Sequence, residues 1–259
     1  MKKTDLLKTL DKIAPLSLAE DWDNCGMQVD LGKTEINRVY VALEVTQEVI
    51  KAAKEAGADM IIAHHPLLFP QIAVTHLRTG NVCEKYLIDL VKNDIEVFSS
   101  HTCFDAAARG NNDYIARLMG LERIKTFAGQ IARIGRLKEP VPLGEYEKTV
   151  AEKLGNHIGM TVWGDPKKLI RKVAVCTGYG GDMWEQALYE GADLFISGEF
   201  KHHEMSYMSQ TEMAFITAGH AATEWIFVPN MAAQLAEMTL GDLEIIECSS
   251  HQIPYTRVL

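Results

Sequence analysis

Two stretches of the 259-residue chain read alike: VYVALEVTQEVIKAAKEAGADMIIAHH at 39–65 and VAVCTGYGGDMWEQALYEGADLFISGE at 173–199. Each opens on an apolar run, passes through helically spaced apolar residues, reaches Gly-Ala-Asp, and ends on a second apolar run. A glycine closing a helix before a short strand is common in α/β proteins, so part of the match is generic. The correspondence nevertheless holds without a gap at a constant offset of 134 positions (173 − 39). Val39 meets Val173, Ala53 meets Ala187, and Gly57-Ala58-Asp59 meets Gly191-Ala192-Asp193. Such self-similarity is the signature of an internal duplication.

Working outward, residues 38–43 read as a strand, 47–57 as a helix and 59–63 as a buried strand. A helix around 82–92 and a strand at 96–100 follow. This βαβαβ order predicts an α/β fold of two similar, interlinked lobes with mixed, mostly parallel sheets. Between the repeats, 127–155 carries Gly and Pro at turn spacing. A short hairpin is expected there, then a helix over 141–154 preceded by the turn residues Pro140 and Pro142. The second lobe should open at this point. The expected division is 1–126 with 220–259 for the first lobe and 127–219 for the second.

The bulk composition excludes several classes. With 47% hydrophobic and 24% charged residues the chain is built to bury a core. A formal net charge of −9 argues against broad, salt-driven adhesion to nucleic acid or an anionic membrane. The opening MKKTDLLKTLDKIAPL reads as an amphipathic helix rather than a signal peptide. No stretch approaches the roughly 18 apolar residues that a membrane-crossing helix needs. Five scattered cysteines without a CxxC fit free thiols in a reducing cytoplasm, the expected location.

Three clusters carry the chemistry: His64-His65 after the strand MIIA, His101-x-x-x-Asp105 after VFSS, and His220-x-x-x-Glu224 after FITAG. All three follow strands expected to be parallel, at the edge where open α/β sheets keep their sites. Positions i and i+4 share a face of a helical turn, so each His and its carboxylate can point the same way. Neighbouring residues on an extended backbone diverge. A His-His pair therefore suits two ions better than one; in isolation it would more often be an ordinary pair of satisfied histidines. Imidazole with carboxylate suits divalent zinc, manganese, iron or cobalt, and no cysteine is needed. A bridging Glu224 would draw two ions to the roughly 3.5–4 Å typical of hydrolytic pairs. Two carboxylates leave about two positive charges uncompensated, which favours hydroxide at the site, a nucleophile available at neutral pH.

Other features carry less. Residues 176–181, CTGYGG, form either a plain tight turn or an anion cradle at a helix start. His202-His203 either line the cleft and contact substrate or sit solvated at a helix start. Trp22-Asp23-Asn24-Cys25-Gly26 reads as an Asx-stabilised turn. Cys103 either approaches the metals or is a buried, inert thiol.

Over nearly its whole length the chain resembles the YbgI-like, or Nif-three-like, proteins, which carry the name type 2 homologues of GTP cyclohydrolase I. WDNCGM, GADMIIAHHPLLF, HTCFDAA, GNNDYIARLMGL, IARIGRL, GADLFISGEFKHH and GHAATE carry the likeness. HHP, HTxxD and GHxxxE in this order are specific together. The resemblance implies a two-lobed fold, a dinuclear metal site in the interlobe cleft, and a toroidal homohexamer with its sites facing an inner cavity. It places the ligands on His64, His65, Asp105, His220 and Glu224, with His101 orienting a ligand or water. It also implies the short form of the family, without an inserted domain. Two departures are visible: Glu44-Val45-Thr46 where Asp-Val-Thr is usual, and Cys103-Phe104 before Asp105.

The leading reading is a metal-dependent hydrolase with these five residues as its catalytic set. The resemblance points to a small-molecule nucleotide substrate and a GTP cyclohydrolase-like ring opening. The alternative is a non-catalytic metal-binding scaffold or interaction protein forming a ring.

Overall fold

Residues 1–69, 74, 76–155 and 159–249 are described by a computed structural model, which divides the chain into two units. One takes in Met1–Gly110 and the described residues from Phe227 onward; the other takes in Asn111–Ile226. Residues 250–259, which the sequence reading assigned to the first lobe, lie outside the described residues.

The first unit is built on a five-stranded sheet of order β1-β4-β3-β2-β11. Its strands are β1 (Gly26–Val29), β2 (Arg38–Ala42), β3 (Met60–Ala63), β4 (Glu96–Ser99) and β11 (Glu244–Glu247). All neighbours are parallel except β1 against β4. Strands β3 and β4 are buried at every position, as parallel strands covered on both faces must be. The unit's helices are α1 (Lys3–Ile13), α2 (Gln47–Glu55), α3 (Val82–Lys92), α4 (Thr102–Ala106) and α10 (Phe227–Thr239). Helix α2 starts where the Thr46 hydroxyl accepts from Val49 N, and α3 where Asn81 accepts from Glu84 N.

The second unit carries a six-stranded sheet of order β5-β6-β8-β9-β10-β7. Its strands are β5 (Glu122–Phe127), β6 (Ala132–Pro142), β7 (Thr161–Trp163), β8 (Leu169–Tyr179), β9 (Leu194–Glu199) and β10 (Ala214–Thr217). Its helices are α5 (Asn111–Leu118), α6 (Leu143–Lys153), α7 (Trp184–Tyr189), α8 (His202–Met208) and α9 (His220–Glu224). Here the expected mixture of strand directions is plain. Only β8, β9 and β10 run parallel, while β5, β6 and β7 join antiparallel. For β5 and β6 the reason is local: the turn between Phe127 and Ala132 is short, and only antiparallel strands can be joined by so tight a connection. Pro140 belongs to the far end of β6 rather than to a turn. Along the central strands alternate residues feed two cores. Val173, Val175, Leu194 and Ile196 pack on one side, Ala174, Cys176, Phe195 and Phe215 on the other.

The duplication extends to register and capping. Val39 faces Met60 and Val41 faces Ile62; at the same offset Val173 faces Leu194 and Val175 faces Ile196. Both Gly-Ala-Asp corners work alike. Gly57 and Gly191 end their helices at φ +66° and +73°, a conformation that costs other residues energy. Ala58 and Ala192 then donate back to Ala53 O and Ala187 O. Asp59 Oδ2 accepts from Asn37 N and Arg38 N, and Asp193 Oδ2 from Arg171 N and Lys172 N. Each aspartate thus clamps the entrance of the neighbouring strand.

Candidate functional site

In the first unit the chemistry gathers beyond the carboxyl ends of β2, β3 and β4. His64 and His65 follow β3 directly, and His101 and Asp105 open and line α4 after β4. Three imidazoles form a triangle, with centroids 5.0 Å (His64–His65), 5.1 Å (His64–His101) and 5.2 Å (His65–His101) apart. One ring nitrogen from each lies within 4.8 Å of the others, close enough to hold a metal ion. His64 is fully buried and Asp105 is 6% exposed; His64 Nε2 stands 3.6 Å from Asp105 Oδ2. Phe227 packs against His64 at 4.9 Å and Trp22 against His101 at 5.9 Å, giving the group an apolar wall.

Every one of these histidines is held by Nδ1. His64 Nδ1 lies 3.0 Å from Ser100 O, His65 Nδ1 2.7 Å from Glu44 Oε1, and His101 Nδ1 3.0 Å from Asp23 Oδ1. A carbonyl or carboxylate oxygen can only accept, so Nδ1 carries the proton and donates. In the neutral ring Nε2 is then the nitrogen with the lone pair, the tautomer a metal requires. Asp23 is anchored strongly. Burial opposes its ionisation, but hydrogen bonds from His101, from the Thr102 hydroxyl and from Cys25 outweigh this and hold the carboxyl far below the usual range.

In the second unit the same design recurs after β10. His220 opens α9, donates from Nδ1 to Glu199 Oε1 at 3.0 Å, and brings Nε2 to 3.1 Å from Glu224 Oε2 one turn on. Glu224 is 3% exposed. The glycine-rich turn that the sequence left as a plain turn or an anion cradle has another task. At Gly178, φ is +62°, and a Cβ there would stand 2.1 Å from Glu224 Oε1 and 3.2 Å from His220 Nε2. Gly178 N also donates to Thr223 Oγ1, so the turn is the bare floor on which α9 rests. His202 and His203 open α8 and are exposed, with His203 Nε2 4.0 Å from Glu204 Oε1; neither belongs to these groups.

The donor sets fit a divalent cation. Nearly buried carboxylates beside neutral imidazole lone pairs are costly unless a positive charge compensates them. Three supporting carboxylates escaped the sequence reading. Asp23 was read as a turn residue, and Glu44 was noted only as a departure. Glu199 was seen only as the end of the repeat. Glu44 lies just past the end of β2 and Glu199 is the last residue of β9, while Asp23 precedes β1 and carries no such signal.

The sequence profile of the Duf34/NIF3 (NGG1p interacting factor 3) family matches residues 1–254. The chain belongs to the Duf34/NIF3 family. A relative from Clostridium perfringens, named GTP cyclohydrolase 1 type 2 homolog, is 31% identical over 98% of this chain and 99% of its own. A solved Bacillus cereus protein related to NIF3 superposes with a TM-score of 0.91 at 20% identity, covering 100% and 99% of the two chains, a likeness of fold. The structure of protein ybgI gives a TM-score of 0.86 at 27% identity over 96% and 98%. Among the described residues no helix is long and apolar enough to cross a membrane.

Proposed function

We propose that the protein is a metal-dependent hydrolase with a dinuclear centre held by His64, His65, Asp105, His220 and Glu224. His101, drawn in the sequence reading as an orienting residue, joins this set as a further ligand through Nε2. The observation that carries the proposal is the uniform tethering of four imidazoles by Nδ1 to oxygen acceptors. Histidines serving only as packing have no need of one shared tautomer.

Bound divalent ions supply Lewis acidity and a nucleophile at neutral pH. The chain's own residues do the rest. Glu44, Asp23 and Glu199 hold the imidazoles in orientation and raise their basicity. Asp105 and Glu224 would supply the anionic charge that holds the ions. Phe227 and Trp22 keep bulk water from one side of the first group.

The substrate class we infer from the family is a purine nucleotide such as GTP, opened hydrolytically at the ring. The inferred assembly is a toroidal homohexamer in the cytoplasm, which light scattering on purified protein checks. The test of activity is turnover of GTP and of a generic phosphoester by metal-loaded protein. His64→Ala and Glu224→Ala should each abolish turnover and leave the oligomer intact. Equal turnover in both variants would refute the hydrolase.

A further inference from the structure

We propose that Lys201 binds the phosphate groups of a nucleotide substrate, its ammonium fixed over the Tyr179 ring beside the His220–Glu224 group. That the nucleotide is a substrate rests on the hydrolase reading; the phosphate site itself does not. Two neighbouring strands lead from one group to the other. On β8 the chain passes from Gly178, which leaves room for Glu224, to Tyr179. On β9 it reaches Glu199, which holds His220 Nδ1 at 3.0 Å, and Lys201 follows two residues later. Tyr179 and Glu199 are register partners in this parallel pair. Lys201 Nζ stands 4.6 Å from the centroid of the Tyr179 ring, within the range at which a ring face attracts a cation. The Tyr179 hydroxyl donates to Glu204 Oε1, which holds the ring in place. At Gly181 a Cβ would stand 2.0 Å from Glu204 Oε2 and 2.7 Å from Tyr179 Cε2. The CTGYGG turn is therefore bare twice, at Gly178 for Glu224 and at Gly181 for the Tyr179–Glu204 contact.

A structural role accounts for Glu204 but not for the ammonium. Glu204 is 5% exposed and accepts from Lys201 N at 2.7 Å, the return bond of a capping box at the start of α8. With the Tyr179 hydroxyl on its other oxygen, the carboxylate is satisfied without Nζ. The ammonium stays 4.0 Å from Glu204 Oε1, on a side chain 61% exposed. It carries three N–H donors, and a ring face with a carboxylate at that distance does not use them all. A lysine held in this way loses less rotamer freedom on binding than a free surface lysine does. As a compact point charge it suits a phosphate. The chain's formal net charge of −9 repels a polyanionic nucleotide, so a fixed cation at the site offsets a cost that the rest of the molecule imposes. A nucleotide opened at its purine ring also keeps its phosphates apart from the reacting atoms, and Lys201 offers them a partner outside the metal-ligand set.

The test is calorimetric titration of the full-length protein, freed of metal, with GTP, guanosine and inorganic tripolyphosphate. Wild type should bind GTP more tightly than guanosine. Lys201→Gln should weaken GTP about tenfold, leave guanosine and the melting temperature unchanged, and Lys201→Arg should restore most of the loss. Tyr179→Leu, which removes the ring beneath the cation, should weaken GTP in the same direction. No binding of GTP by wild type, or an unchanged GTP affinity in Lys201→Gln, would overturn the site. Equal affinities for GTP and tripolyphosphate, with guanosine unbound, would overturn its assignment to a nucleotide and leave free oligophosphate as the ligand. With metal-loaded protein, Lys201→Gln should raise KM for GTP and leave kcat nearly unchanged. Lys201-dependent binding of GTP without any turnover by metal-loaded wild type would refute the hydrolase and leave the phosphate site standing.

Discussion

At His101 one carboxylate decides what the imidazole can do. Asp23 Oδ1 takes the Nδ1 proton, while Oδ2 is held by Thr102 and Cys25, so the ring cannot turn without breaking several bonds. Asp23→Asn presents an amide in place of the anion and removes charge from behind the ring. Metal affinity is expected to fall on the order of 10- to 100-fold with little change in melting temperature, read by competitive chelator titration. An unchanged affinity would mean that His101 is not a ligand. Gly178 offers a steric test at the other group. A side chain at Gly178→Ala would meet Glu224 at 2.1 Å in a backbone conformation that already costs about 1–2 kcal/mol for a non-glycine residue. The variant should fold with lowered stability and lose metal, whereas an alanine tolerated with full metal content contradicts this role.

Between residue and molecule, the recurring unit is strand, helix, Gly-Ala-Asp corner, strand. Asp59→Ala removes the acceptor for two backbone donors at the entrance to β2 and should cost about 1–2 kcal/mol in denaturant unfolding. The same carboxyl gives a pH dependence. Burial pushes its pKa up, but hydrogen bonds from Asn37 and Arg38 and the charge of Lys33 bring it below its ordinary value of 3.8. A lowered pKa in the folded state means stability that is fully present above about pH 4 and is lost as pH falls below it. Asp59→Ala should flatten the acid limb of the stability curve by this contribution; identical acid limbs would contradict the clamp. This much was legible in the sequence, because corner, strand and helix are all set by residues a few positions apart. Of the antiparallel flanks of the second sheet, only the hairpin after Phe127 was legible, from its Gly and Pro spacing. The apolar run in β6 looks the same whichever way β8 runs, so that antiparallel pairing had no local signal.

Across the whole molecule, the proposed ligands are legible where they sit on strand ends, and their hydrogen-bond partners are illegible where they lie far away in sequence. His64, His65, Asp105, His220 and Glu224 stand out as His-rich pairs after apolar runs. Asp23 reaches His101 across 78 intervening steps of chain, Glu44 reaches His65 across 21, and no local pattern announces either meeting. In each unit the strand that follows the repeated βαβ, β4 or β10, leads into a short helix with a histidine and a carboxylate four residues apart. The central claim is that these side chains hold two divalent ions in every chain. The direct measurement is metal content by elemental analysis after reconstitution with zinc, manganese, iron or cobalt and removal of excess. Wild-type protein is predicted to retain two ions per chain, and a His64→Ala, Glu224→Ala double variant of the same oligomeric state to retain none. A wild type without metal, or a double variant that keeps both ions, would contradict the account.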